Sequence, residues 1–457
     1  MHGCTEREAP SGADKMTEQN SKVNLETSAY AEKEAEKNSK EILANGFKEQ
    51  QRRILHFLKW VFVSAVIGVV IGLVGAAFWH GMEKVNHIRQ GQPLIVLGLP
   101  AAGLLIVFLY HIAGRKNDHG TNGVLAAVRS EEELKVVTAP LIFVSTLLTH
   151  LFGGSAGREG AALQIGGNLG SWIGKLLRLN KTDMRAAVMC GMSACFAVLF
   201  GTPLAAAIFS MEVVNVGVMY YSALLPSVFA GLIALGVAKL FGVHGEALSI
   251  AVVPEFTLVN AGKIVIVALL CALVSVLFCT VLHEASKYTK KWIANPYLRI
   301  FVIGALIAGI NLLLGTTDYM GAGMNVIERS LHGEVRPEAF LIKMILTALT
   351  LGVGYKGGEI VPSFFIGATF GCLMGQLLGL SPSMCAAVGM ICVFCGVTNS
   401  PIASLLIALE LFGMEGIYFV LIGIAVSYRL SGYSSLYHTQ RIVISKYQSR
   451  YRHKWQE

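Results

Sequence analysis

An all-α, polytopic membrane protein is the fold class this sequence predicts, and three observations predict it. Hydrophobic residues make up 54% of the 457 and charged residues only 14%, with a mean hydropathy of +0.59, far too apolar for a soluble domain. Apolar stretches recur from Trp60 to Tyr428, and Trp60–Trp79 and Leu94–Ala113 have the ~20 residues needed to cross ~30 Å of hydrocarbon. Others, such as Ala139–Leu151 and Pro401–Phe412, are too short or are cut by Gly and Pro. Interrupted segments of that kind are broken or half-crossing helices, tolerated in a membrane only where they line a cavity inside the protein.

The net charge of +8 sits largely in the flanks and loops, so it reports on membrane orientation and not on nucleic acid. Arg52, Arg53 and Lys59 before the first span, and the basic end Lys446–Lys454, place both termini in the cytoplasm. Residues 1–39, rich in Glu, Lys, Ser, Thr and Asn without an apolar period, read as a disordered polar cytoplasmic tail or a loosely helical one. Lys40–Lys59 reads as a surface helix with Ile42, Leu43, Phe47, Ile54, Leu55 and Phe57 as its apolar side. The first long apolar run starts near residue 54 and is too long for a signal-peptide core. Residues 446–457 form a short basic cytoplasmic tail.

After the second span, a polar cluster runs into Gly120-Thr121-Asn122-Gly123, a helix start inside the protein with Thr121 or Asn122 at its cap, or else a loop before an ordinary helix. Ala139–Leu151 then leads to Gly153-Gly154-Ser155-Ala156-Gly157-Arg158-Glu159-Gly160 at the head of a helix reaching Lys175. An ionisable pair inside an apolar run is costly, which marks a functional site. The glycines let the backbone break there, and a helix restarting after the break turns its unsatisfied N–H groups and positive dipole end toward it, which makes an anion site. A basic turn with Lys175, Arg178, Lys181 and Arg185 follows, then Ala186–Phe200 and Pro203–Glu212. Longer spans are expected at Tyr220–Phe241, Ala261–His283 and Arg299–Leu314. His150, Cys190 and Met211 read as core, and Cys392 and Cys395 as packing residues rather than a metal site, because no second pair stands at metal spacing.

The last third repeats this plan. Setting Ile366-Gly367 on Ile165-Gly166 puts Gly358 on Gly157, Glu359 on Arg158 and Gly371 on Gly170. Pro401–Glu410 likewise follows Pro203–Glu212, so two blocks recur in order at nearly one offset. Duplicated halves with broken segments at matching positions point to a transporter whose site lies at the midplane between them. Close helix packing accounts for Gly166, Gly170 and Gly174, but not for Arg158, Glu159 and Glu359. Glu212 and Glu410, ending equivalent helices, read as caps or ion-pair partners.

At these residues the chain resembles the CLC family of anion channels and proton-coupled antiporters, from about residue 40 to 445. Gly157-Arg158-Glu159-Gly160 matches that family's GREGP motif with Ala161 in place of the proline, and Gly358-Glu359-Ile360-Val361-Pro362 matches GxFxP with Ile360 for Phe. Thr121-Asn122-Gly123-Val124 falls where GSGIP is expected, and Tyr437 where the family has its inner-gate Tyr. The departures resemble the fluoride-exporting branch, as does Val213, which stands where chloride/proton antiporters carry a second, proton-relaying carboxylate.

The resemblance implies a CLC-type fold of two inverted-topology repeats, about 54–242 and 262–430, within a transmembrane domain of residues 40–445. It implies a homodimeric secondary antiporter of the cell membrane that exports fluoride in exchange for protons, the alternative being a chloride channel or chloride/proton antiporter. Glu159 is then the gate, because only an acid switches between an anion mimic and a neutral side chain on gaining a proton. Asn122, Gly160, Ile360, Val361 and Tyr437 form the anion site, and Arg158 is a structural counter-ion. Glu359 is either coupled to proton transfer or held in an ion pair with Lys356 or Arg158. Phe364 and Phe365 read as core, with ring edges toward the anion as the other possibility. No nucleotide loop, metal cluster or nucleophile–base set appears, so the sequence implies neither an enzyme nor a cofactor.

Overall fold

The computed structural model describes residues 12–129, 131–245, 248–448 and 451, with side chains from residue 45 onward and at Lys33. The chain divides into two compact units, 1–60 and 61–457. In the first, everything described is helical and belongs to α1 (Gly12–Gly91). Residues 12–39 are helix, the second of the two readings of that tail, in keeping with their Ala, Glu, Lys and Gln content. Phe47, Ile54, Leu55 and Phe57 are exposed, while the side chains of Ile42 and Leu43 and residues 1–11 lie outside the described ones.

In the second unit α1 is followed by α2 (Leu99–Ile112), α3 (Thr121–Val128), α4 (Thr138–Leu151), α5 (Glu159–Leu176), α6 (Lys181–Phe200), α7 (Pro203–Glu212) and α8 (Leu224–Leu240). The same series then recurs: α9 (Leu258–Trp292), α10 (Pro296–Leu314), α11 (Met324–Leu331), α12 (Ala339–Val353), α13 (Ile360–Leu378), α14 (Pro382–Thr398), α15 (Pro401–Phe412) and α16 (Ile417–Leu430). Eight helices are repeated as eight, long and short in nearly the same order. Seven helical segments are long and apolar enough to cross a membrane among the described residues, and α4, α7, α12, α14, α15 and α16 are shorter apolar helices. Two strands, β1 (Asn215–Val216) and β2 (Arg441–Ile442), pair in parallel and fasten the segment after α16 to the end of α7.

The interior is built on two equivalent helix pairs. In α5 and α6 a methyl on Gly166 would strike the Gly191 carbonyl, and in α13 and α14 one on Gly367 would strike the Gly389 carbonyl. Only glycine permits such backbone contact, the small-residue packing that membranes use between helices. By contrast α1, α9 and α10 turn residues such as Leu73, Leu273 and Leu306 outward, as lipid-facing helices do.

The halves are joined by reciprocal caps. The Glu212 carboxylate, at the end of α7, accepts hydrogen bonds from the N–H groups of Ile402 (3.1 Å) and Ala403 (2.8 Å) at the start of α15. Glu410 in α15 accepts in return from Leu204 (3.1 Å) and Ala205 (2.8 Å) at the start of α7. Each acid thus satisfies orphan donors of its counterpart's helix and meets the positive end of that helix dipole. This exchange of equivalent partners is a two-fold relation between halves, with helix starts crossed against helix ends.

Candidate functional site

The site forms where the two motif loops touch. Gly157 N–H donates to the Gly358 carbonyl and Gly358 N–H to the Gly157 carbonyl, both at 2.7 Å, an antiparallel bridge between residues that the repeat makes equivalent. The bridge sets the N-termini of α5 and α13 against each other, with Arg158 and Glu359 in matching backbone conformations at the two N-cap positions. Glycine is obligatory at 358, because a β-carbon there would press on the Gly160 nitrogen and lie 3.1 Å from that of Glu159.

Glu159, the first residue of α5, is 2% exposed. Its carboxylate folds back on its own helix start: Oε2 accepts from Arg158 N–H at 2.9 Å, and Oε1 lies 3.7 Å from the Arg158 Nε. The side chain thereby occupies the positive end of the helix, where an anion would sit. Arg158 also donates from Nη2 to the Leu199 carbonyl (3.4 Å) near the C-terminal end of α6, and so joins the gate carboxylate to a neighbouring helix.

Glu359 is partly exposed and lines a cavity of about 520 Å³ together with Asn122, Gln164, His283, His438 and Thr439. Its expected ion pair with Lys356 is not formed, because the Lys356 ammonium is drawn to Asp118 at 3.3 Å, an acid with a closer approach to it. Nor does Glu359 pair with Arg158. Its carboxylate instead reaches toward Gly160, where a β-carbon would meet Oε2 at 3.2 Å. The two acids therefore flank the bridge, Glu159 inside the protein and Glu359 at the cavity.

Asn122 stands in the first turn of α3, but neither it nor Thr121 is the cap. Gly120, at φ +59°, takes that place without a side-chain bond, since this left-handed conformation suits glycine and orients the helix start. The Asn122 Oδ1 accepts from the N–H (3.2 Å) and hydroxyl (3.2 Å) of Thr439. With the carbonyl end held in this way, the amide NH₂ is the end left to donate within the cavity. Thr121 donates to the Gly160 carbonyl (3.5 Å) and accepts from Gln164 Nε2 (3.3 Å), which ties α3 to the start of α5.

Ile360 and Val361 are buried at the head of α13, and their N–H groups lie in its first turn, before intrahelical bonding begins. Tyr437 is 1% exposed, and its hydroxyl has no hydrogen-bond partner among the described residues. Its chain neighbours Leu436 and His438 line the cavity. Phe364 packs in an aromatic row with Phe200 and Phe394, and Phe365 lies between Tyr319 and the buried Lys343, so both belong to the core.

Sequence reasoning missed Thr439, Gln164 and Asp118. Gln164 was open to detection as a polar side chain five residues after Glu159 in an apolar helix. Thr439 and Asp118 carry no local signal, because each acts on a residue more than two hundred positions away.

Three helix N-termini, those of α3, α5 and α13, thus converge with an amide, a buried phenol and two carboxylates, a set of donors and acids chemically suited to an anion. Among the described residues no His, Cys, Asp and Glu cluster could hold a metal ion, and Cys392 and Cys395 are fully buried free thiols.

Comparison with known proteins identifies the family. The family described as voltage gated chloride channel matches residues 102–432. A protein of Pseudomonas syringae pv. tomato named chloride/fluoride channel protein is 34% identical over 406 residues, which cover 87% of this chain and 90% of that protein. An uncharacterized protein of Methanocaldococcus jannaschii is 23% identical over 395 residues, 84% of this chain and 96% of its own. A crystal structure of a CLC-type fluoride/proton antiporter superposes with a TM-score of 0.81 at 32% identity, over 84% of this chain and 98% of that one. That of a slow cyanobacterial Cl⁻/H⁺ antiporter does so at 0.71 with 18% identity, over 81% and 94%, a likeness of fold. With its duplicated broken helices meeting at an anion-type site, this chain belongs to the CLC family of multi-span membrane transport proteins and is not an enzyme.

Proposed function

We propose that the chain is a secondary antiporter that exports fluoride in exchange for protons, with Glu159 as its gate. The observation that carries this reading is the Glu159 carboxylate buried on the N-terminus of its own helix, accepting from Arg158 N–H at 2.9 Å. Ionised, the carboxylate fills the anion position. Protonated, it loses the attraction of the helix dipole and of Arg158, and fluoride takes its place. Anion and proton therefore alternate at one location, which is the requirement for exchange. The likeness to a CLC-type fluoride/proton antiporter supports fluoride as the anion.

Fluoride is small and strongly hydrated, so its site must replace water with close, fixed donors. The Asn122 amide, braced by Thr439, the N–H groups of Gly160, Ile360 and Val361, and the unpartnered Tyr437 hydroxyl supply such a set. Glu359, open to the cavity and in no ion pair among the described residues, takes the proton from Glu159 and releases it to the cavity water. It thus does the work for which Val213 has no ionisable group. Residues 40–445 act as the transporting domain and both termini face the cytoplasm. The exposed Leu204, Leu225, Leu232 and Ile402 on α7, α8 and α15 form the face of a homodimer.

A passive anion channel is the second reading, favoured by the name of the Pseudomonas relative, a chloride/fluoride channel protein. Purified protein in liposomes, with fluoride and chloride efflux recorded alongside pH, decides between them. Fluoride efflux accompanied by proton uptake supports exchange, whereas equal loss of chloride without proton movement establishes the channel.

A further inference from the structure

Beside the cavity at Glu359 lies a larger one with a strongly cationic lining. This second cavity has a volume of about 1160 Å³ and shares Asp118, Lys290, Tyr355 and Lys356 with the first. It lies where the C-terminal ends of α2, α9 and α12 meet the N-terminus of α10. Five cationic side chains line it, Arg115, Lys116, Lys290, Arg299 and Lys356, against the single acid Asp118. That acid is already engaged by Arg115 (3.2 Å) and Lys356 (3.3 Å). Lys116, Lys290 and Arg299 have no carboxylate within ion-pair distance among the described residues.

Behind this wall the Nε atoms of Arg115 and Arg299 and the hydroxyl of Tyr110, a residue only 5% exposed, are buried away from the cavity surface. The groups that a ligand in the cavity can reach are the cations, with Lys116 and Lys290 exposed and Arg299 half-buried. The Lys356 ammonium stacks on the Tyr110 ring at 4.2 Å, which holds it at the wall. The start of α10 adds its positive dipole end to the same wall.

A monatomic anion touches only a few donors at once and has no use for a chamber of this size. Donors spread around the wall suit an anion with several acceptor oxygens, and guanidinium groups bind phosphate oxygens in particular. On the same helices Phe108, Ile112, Leu298 and Phe301 are exposed apolar residues, where acyl chains would lie if the anion were a lipid headgroup.

We propose that this cavity is a binding site for a phosphate ester, whose occupancy regulates access to the adjoining Glu359 cavity. The regulatory half rests on the transport function proposed above, and the binding half does not. The phosphate belongs either to an anionic phospholipid headgroup or to a soluble phosphate compound, and the test separates them.

The full chain is reconstituted in phosphatidylcholine vesicles with and without phosphatidylglycerol, and separately titrated with pyrophosphate in phosphatidylcholine alone. Binding is read by native mass spectrometry for lipid and by calorimetry for pyrophosphate, and fluoride efflux by an electrode. Saturable binding that Arg299→Gln weakens by about tenfold, and that Lys116→Gln also weakens, supports the site. Phosphatidylglycerol alone, pyrophosphate alone or both then identify the source. Fluoride efflux of the wild type is expected to change at saturation, while both variants in phosphatidylcholine alone keep wild-type efflux. Absence of binding by either probe, or binding unchanged in both variants, overturns the site. Binding that leaves efflux unaltered overturns the regulation. Binding intact in a protein that moves no fluoride refutes the proposed transport and leaves the site standing.

Discussion

Adding one methyl at Gly358 should break the joint between the two motif loops. The new β-carbon would press on the Gly160 nitrogen and stand 3.1 Å from that of Glu159 and 3.2 Å from the Gly160 α-carbon. Ordinary contact requires about 3.5 Å, so the loop must retreat by roughly 0.5–1 Å. The two bridge bonds, now 2.7 Å, would then exceed the ~3.2 Å limit for useful N–H···O bonding. Their loss costs about 2 kcal/mol where water replaces them, and up to about 6 kcal/mol where the buried groups stay unpaired. Because the same bridge sets the N-termini of α5 and α13 on either side of Glu159, fluoride efflux from liposomes should fall at least about tenfold, the change that ~1.4 kcal/mol produces. Thermal unfolding in detergent should fall with it. Gly309→Ala, in α10 where an added methyl meets nothing within 4 Å, is the control and should leave both properties intact. Wild-type unfolding and wild-type efflux in Gly358→Ala would show that the bridge does not organise the site.

Glu159→Gln keeps an acceptor for Arg158 N–H but removes the charge, so the protein should remain folded while fluoride-driven proton uptake disappears; proton uptake at the wild-type ratio would remove Glu159 from the mechanism. Glu359→Gln should slow fluoride and proton movement together, and unchanged fluxes would discard its role as proton acceptor. Glu212→Ala strips two bonds of 3.1 and 2.8 Å from the start of α15 and should destabilise by about 2–4 kcal/mol in unfolding measurements. Glu410→Ala should cost less, because Glu410 is half-buried, and equal losses would count against the burial argument. Burial, and then the charge of Lys290, push the His438 imidazole below its ordinary value. The ring is therefore neutral at pH 7 and gains its proton only as the cavity side turns acid. Efflux should change in that acid range, and a His438→Asn protein with the same pH profile would dissociate the two.

Much of the candidate site was legible because it is written in residue types whose chemistry is local. An acid at the head of an apolar helix is expensive, and a glycine-broken segment before it has few other uses, so Glu159 stood out with no knowledge of its surroundings. The recurrence of Gly358-Glu359 and of Pro401–Glu410 exposed the duplication in the same way. Where local signals conflicted, expectation and structure parted. Polarity at Thr121 and Asn122 suggested a cap, whereas the backbone turn belongs to Gly120. Lys356 seemed the natural partner of Glu359, being three residues before it, yet it turns to Asp118, more than two hundred residues earlier in the chain.

The sequence by itself determined that this is a helical membrane protein in two related halves, with ionisable groups placed at broken helices. Those properties follow from transfer free energies and from backbone freedom at glycine, which act residue by residue. Only the tertiary structure decided which helix start each acid would face: Glu212 against α15, Glu410 against α7, Gly157 against Gly358, Thr439 beneath Asn122. Such pairings join segments distant in the chain, and what selects among them is the packing of the two halves, where every buried N–H must find an acceptor at once.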